Sequence, residues 1–316
     1  MISSANNKQP LLTRTSVVCL MAMLCCFLWG SAFPCIKIGY KLFAIESSDT
    51  GSQLLFAGVR FTLAGVLVIL FGSLLSRKFL VPKKTALVSV LKLSLLQTVI
   101  QYLLFYIGLA HTTGVKSSIV EASNVFFAIL VACVIFHYET FTMQKIIGCI
   151  VGFAGVVLIN LGGGEGIDLH MSLSGEGAIL LSALSYSFSA VLVKKYSQTE
   201  NPVTLSGYQF LLGGIILSLF GAFAGGHLQN FTVTSVLLLL YMALISAVAY
   251  TLWGILLKYN PVSRISVYGF MNPVCGVVLS AILLQEKNQA FSLIGLISLV
   301  LVCIGIYIVN RKTTNN

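Results

Sequence analysis

Long apolar stretches alternate with short polar breaks along the whole chain. The apolar stretches are Thr15–Lys37, Gln53–Leu75, Ala86–Leu109, Ser117–His137, Met143–Leu161, Glu176–Lys195, Thr204–Ala224, Val233–Leu257, Arg264–Leu284 and Ala290–Val309. A bilayer core about 30 Å thick takes roughly 17–25 residues of helix, which each stretch supplies. Barrel strands would alternate in hydrophobicity over about ten residues, and these runs do not. A helix satisfies its own backbone N–H and C=O groups in lipid. The pattern therefore predicts an all-α integral membrane protein with ten transmembrane helices. Ser76–Thr85, Gly162–Gly175, Ser197–Pro202 and Gly225–Thr232 read as loops, and His137–Thr142 and Gln285–Gln289 as tight turns.

Composition agrees. Of 316 residues, 57% are apolar and 9% charged, where a soluble domain carries about a quarter charged. The net charge of +10 has three readings: nucleic-acid binding, anionic partners or a positive-inside bias. Placement decides between them. With the amino terminus in the cytoplasm, that side holds Lys8, Arg14, Arg77, Lys78, Lys83, Lys84, Lys145, Lys194, Lys195, Lys258, Arg264, Arg311 and Lys312. The outer side holds only Lys37, Lys41, Lys116 and Lys287, with Arg60 and Lys92 left in spans. This is the positive-inside signature, and it explains the basic charge without any nucleic-acid partner. Acidic residues fall mostly outside, at Glu46, Asp49, Glu165, Asp168, Glu176 and Glu286. The expectation is a multi-pass protein of the cell membrane with both termini cytoplasmic. The polar start before Arg14 resembles a signal peptide, but no A-x-A-type cleavage site follows, so the first stretch reads as a retained span. Eight cysteines lie in apolar stretches, none in a C-x-x-C pair; they read as packing residues, with no disulfide framework and no metal site.

The chain also appears twice within itself. Gly58–Gly72 aligns without gaps on Gly207–Gly221, and seven of the fifteen positions are identical. Glu139 and Gly148 match Glu286 and Gly295 at one offset, and Lys37, eight after Trp29, matches Lys194, eight after Tyr186. The halves, residues 15–161 and 176–309, hold five spans each. An odd number inverts the second half in the membrane, as in secondary transporters whose solute site lies between inverted repeats.

Trp29-Gly30-Ser31-Ala32-Phe33 followed by Lys37 resembles the first-helix motif of the EamA-type transporters of the drug/metabolite transporter superfamily. Arg60-Phe61 fits the same pattern, as do His137-Tyr138-Glu139, Gln285-Glu286-Lys287 and Asn272-Pro273. The counterpart Asn124-Val125-Phe126 lacks the proline. The resemblance spans about Ser16–Val309. It implies two inverted five-helix repeats around a central cavity lined by the first, third, fourth, sixth, eighth and ninth helices. It implies an activity of metabolite transport, often outward, on amino acids, sugars or nucleotide sugars.

Ionisable residues inside spans are functional candidates, because they cost about 2.5–3.5 kcal/mol to insert. Glu121 shares a helical face with Ser117, Asn124 and Ala128, and reads either as a site for a substrate amine or proton, or as an interfacial carboxylate paired with Lys116 or water. Gln97 and Gln101 offer amides to a solute or to a neighbouring helix. Tyr250 and Trp253 can stack on a solute or simply pack. Tyr268, Asn272 and Gly276 stripe the ninth span, where Asn272-Pro273 can loosen the helix. Trp29, Ser31, Ser185, Tyr186 and Ser189 are further cavity candidates. Arg60 and Lys37 can each bind a carboxylate or reach outward to the interface; with Lys92, they look too dispersed for a nucleotide. Glu139 and Glu286 read as caps or gates, and Gly148-x-x-x-Gly152 as a packing feature that leaves monomer and oligomer both open.

These residues predict a secondary transporter, an exporter, that moves a small organic metabolite such as an amino acid by alternating access, with protons as a candidate partner and lipid as the solvent. The alternative is a passive channel or facilitator for a small polar solute such as a sugar or nucleoside. No H-E-x-x-H, G-x-S-x-G or P-loop motif is present, so neither an enzyme nor an ATP-driven pump is expected and no cofactor is implied.

Overall fold

The computed structural model describes residues 11–46, 48–111, 120–161, 172–283 and 293–311. Among them all regular structure is helical. The segments are α1 (Thr15–Leu42), α2 (Thr50–Ser76), α3 (Lys84–Leu109), α4 (Asn124–Ile135), α5 (Met143–Leu161), α6 (Leu173–Tyr196), α7 (Pro202–Phe223), α8 (Val233–Tyr259), α9 (residues 262–283) and α10 (Leu293–Asn310). Six of these, α1–α3 and α6–α8, are long and apolar enough to cross a membrane; α4, α5 and α10 carry shorter apolar stretches. Lys8, Lys116, Ser117, Glu165, Asp168, Glu286, Lys287 and Lys312 lie outside the described residues, as do the Gln285–Gln289 turn and most of the Gly162–Gly175 loop.

Helix ends follow local chemistry. Asp49 accepts a hydrogen bond from the Ser52 amide at 2.9 Å and starts α2. Asn201 does the same for Val203 at 2.8 Å, with Pro202 opening α7. Thr232 and Ser235 form a reciprocal cap on α8. Each supplies an acceptor to amides that lack an intrahelical partner. Helix α1 continues past its expected end at Lys37 to Leu42. Beyond it Phe43 packs on Phe56 with ring centroids 5.5 Å apart, so this stretch belongs to the core. Helix α9 has three parts: an α-turn Val262–Ser266, a 3₁₀ turn Val267–Phe270 and an α-helix Met271–Leu283. Pro273 has no N–H to return to the carbonyl four residues earlier, and the chain tightens just ahead of it.

The helices pack in matched sets: α2 on α7, α5 on α10, α1 on α8 and α9, and α6 on α3 and α4. Exchanging the first five helices for the last five reproduces this set. Glycines set the closest approach. A Cβ at Gly221 would lie 2.8 Å from the Gly51 oxygen, one at Gly214 2.8 Å from Gly58 oxygen, and one at Gly65 2.7 Å from Gly207 oxygen. The glycines on each helix are seven apart and meet in reverse order, so α2 and α7 run antiparallel with backbone against backbone. Helices α5 and α10 meet likewise: Gly148 faces Gly305, and Gly155 faces Ser298. Between apolar helices in lipid, close van der Waals contact at small residues replaces the hydrophobic drive. Large apolar side chains such as Leu20, Phe27, Leu70, Leu74 and Phe71 are exposed on the outside, as lipid-facing surface requires.

Loops show which helix ends lie together. The Lys83 amide donates to the Glu200 carboxylate at 3.1 Å and its ammonium to the Thr199 carbonyl at 2.8 Å. At the opposite end, the His227 amide donates to Ser52 Oγ at 2.9 Å. The first end therefore carries the amino-terminal start of α1 and most of the described lysines and arginines.

Candidate functional site

A cavity of about 260 Å³ lies between the two sets of helices. Helix α1 gives it Trp29, Ile36, Lys37 and Tyr40; α3 gives Gln101, Tyr102, Phe105, Tyr106 and Leu109; the turn ahead of α4 gives Glu121, and α4 its first residue, Asn124. Tyr186 of α6, Ser246 and Tyr250 of α8, and Gly269, Asn272 and Pro273 of α9 complete most of the wall, and α2 contributes Arg60 alone. This is slightly below the usual range of about 300–1,000 Å³ for ligand sites.

Two features fit the cavity to a solute. Its walls are largely aromatic: Trp29 and Tyr250 meet edge to face at 5.0 Å, and Tyr102 and Tyr250 share a 2.8 Å hydroxyl hydrogen bond across the halves. Its polar atoms are underused. Glu121 Oε2, Gln101 Oε1, Asn272 Oδ1, Trp29 Nε1, Tyr106 Oη and Arg60 Nε are buried with no hydrogen-bond partner. Buried polar groups are nearly always paired, so six such atoms on one cavity make it the candidate site for a polar solute.

The candidates divide in an informative way. Glu121, Asn124, Gln101, Tyr250, Asn272, Trp29 and Tyr186 all line the cavity. Gln97 is buried outside the lining, one turn along α3 from Gln101. Trp253 is buried outside the lining and meets Trp29 edge to face at 5.0 Å, and Tyr268 is also buried, its carbonyl accepting from Cys26 at 3.2 Å. Ser31 bonds the Leu28 carbonyl at 2.7 Å and the Tyr241 hydroxyl at 3.0 Å. Ser185 and Ser189 bond the carbonyls of Leu96 and Tyr186. The eight cysteines are free. Lys37 and Arg60 reach one cavity rather than standing dispersed, while Lys92 is exposed elsewhere on α3. Tyr102 and Tyr106 had no role assigned by sequence pattern, although their spacing of four on the Gln101 helix turns both toward the same wall.

The cavity extends toward exposed Lys37 at one end of the bundle. The other end is tied shut. The Glu139 carboxylate accepts from the amides of Val262 and Ser263 and from the Ser263 hydroxyl, and pairs with Lys145 at 3.0 Å. A carboxylate at a helix start satisfies orphan amides and meets the positive end of the helix dipole. Asn260 Nδ2 donates to the Leu12 carbonyl at 2.9 Å, and Arg264 donates to Thr13 oxygen at 3.1 Å and Asn260 Oδ1 at 3.0 Å. Lys194 donates to the Leu257 carbonyl at 3.2 Å. Val18, Ala22, Ala128, Leu256 and Val267 belong to one buried apolar cluster. Glu139 is thus a cap that ties the first half to the second.

Comparison with known proteins places this geometry. The profile of the EamA-like transporter family matches residues 16–161 and 173–311. An uncharacterized transporter of Bacillus subtilis is 28% identical over 305 residues, covering 96% of this chain and 94% of its own. A probable amino-acid metabolite efflux pump of Salmonella typhimurium is 27% identical over 300 residues, covering 91% and 93%. A solved crystal structure superposes with a TM-score of 0.74 at 16% identity over 93% of this chain and 96% of its own, a likeness of fold.

Proposed function

This chain belongs to the EamA-like transporter family, and we propose that it is a secondary transporter exporting a small organic metabolite, such as an amino acid, by alternating access. That it is a multi-pass membrane transporter, and not an enzyme, follows from the family and the named relatives. The observation that carries the finer reading is the one-sided cavity: polar orphans within aromatic walls, reaching exposed Lys37 at one end and latched at Glu139 at the other. Two inverted repeats, 15–161 and 176–309, together making ten spans, are supported by the exchangeable packing and by the glycine seams. The amino-acid class is favoured by a wall bearing both charges and by the name of the Salmonella relative. Reconstituted vesicles supplied with amino acids, sugars or nucleosides, with and without a pH gradient, are expected to show saturable flux of an amino acid. Flux that rises linearly with concentration for every solute would favour a channel instead.

The Lys/Arg bias orients the protein with both termini and the Glu139 latch in the cytoplasm. Single cysteines at exposed Thr85 and exposed Gln229 in a cysteine-free background test this. On intact cells an impermeant thiol reagent should label Gln229→Cys and spare Thr85→Cys. The reverse pattern would invert the protein.

A further inference from the structure

Arg60 is the least expected member of the cavity wall. It is 3% exposed, so it does not reach the interface. Its guanidinium carbon lies 4.3 Å from the Phe61 ring centroid and 5.7 Å from that of Tyr102. Aromatic faces hold a guanidinium by its plane and leave its N–H edge free. That edge has no carboxylate among the described residues, where the ion pair found is Lys145–Glu139, and Nε is buried without a hydrogen-bond acceptor. A buried cation is strongly disfavoured unless an anion joins it. Among the described residues no carboxylate lies within ion-pair distance of Arg60, which leaves it open to an anionic group of the solute.

Across the same cavity Glu121 carries the opposite deficiency: its Oε2 is buried with no donor. Arg60 and Glu121 both line the one cavity of about 260 Å³, so a solute held there faces both groups. We propose that Arg60 binds the carboxylate of a zwitterionic solute while Glu121 receives its ammonium group, which makes the preferred substrate an α-amino acid with an apolar or aromatic side chain. The guanidinium fork matches a carboxylate in two parallel hydrogen bonds. Trp29, Phe105, Tyr186 and Tyr250 supply the wall for the side chain. This assignment rests on the transporter reading above and sharpens its substrate class.

The test is binding to the purified full-length protein in detergent, using three probes of one shape: leucine, isopentylamine, which lacks its carboxylate, and 4-methylpentanoate, which lacks its amine. Each is repeated with the phenylalanine series. Wild type should bind the amino acid about ten- to a hundredfold more tightly than either analogue, the worth of one charge-assisted hydrogen-bonded pair. Arg60→Gln should lose the preference over the amine and keep the preference over the acid. Glu121→Gln should do the opposite. Arg60→Lys, which keeps charge without the fork, should fall between and covers the case in which Arg60→Gln does not fold. If Arg60→Gln and Arg60→Lys both discriminate against the amine as wild type does, Arg60 is not the carboxylate anchor. If wild type binds none of these probes yet transports a sugar or nucleoside, the amino-acid reading itself is wrong.

Discussion

Glu121→Gln is expected to abolish gradient-driven uptake or efflux while leaving the protein folded. The carboxylate lines the cavity, and one of its oxygens is buried without a donor. The amide is nearly isosteric but carries no charge and cannot take up a proton. It therefore removes both an ammonium receptor and a protonation step at once. Loss of one charge-assisted hydrogen bond alone lowers apparent affinity about ten- to a hundredfold; loss of proton exchange removes the response to a pH gradient altogether. Flux into proteoliposomes, measured with the gradient in each direction and with none, separates the two. The wild type should respond to the gradient, and the variant should show the same low rate in all three conditions. Unchanged gradient dependence would return Glu121 to a structural role.

Gly214→Val is expected to prevent stable assembly. A Cβ there would sit 2.3 Å from the Thr62 backbone nitrogen and 2.8 Å from the Gly58 oxygen. Both obstacles are backbone, so no side chain can rotate away and α2 must separate from α7. Overpacking a well-fitted core typically costs about 1–3 kcal/mol, and parting two helices along a whole seam should reach or pass the upper figure. Gly254→Ala is the control. Its Cβ would meet nothing nearer than 3.6 Å, and surface-like tolerance of within about 0.5 kcal/mol is expected. Thermal unfolding of purified protein, read by size-exclusion chromatography after heating, distinguishes them. Equal stability of Gly214→Val and wild type would mean that the seam is not as close as described.

Much of this was legible from hydrophobic periodicity. Span length depends on bilayer thickness and the cost of polar groups, so the start of the fifth helix at Met143 was placed to the residue. What periodicity could not show is how far along a helix face the cavity reaches. Gln97 and Gln101 are four apart and share a face, but only Gln101 lines the cavity, while Gln97 is buried one turn away. Trp253 and Tyr250 do share a side, yet differ by about one turn in depth, and Trp29 covers the deeper one. Arg60 was ambiguous for another reason. Reaching outward and binding a carboxylate use the same residue, and only the packing of Phe61 and Tyr102 around its guanidinium separates them.

The glycine seams have a mechanical consequence. A slide of α2 along α7 would drive the backbone beside Leu55, Thr62, Leu211 or Ser218 out of the hollows left by missing Cβ atoms. A small rotation about the seam leaves every hollow filled. The proposed cycle is therefore that of a rocker: the Glu139 latch lies at one tip, the Lys37 mouth at the other, and the seam serves as the axle. Of the residues lining the cavity, Arg60 is the one carried by a seam helix. It sits at the fulcrum. On the proposed cycle, a carboxylate held there would stay nearly still while the walls around it exchanged sides, so that the protein would move about the solute more than the solute through the protein.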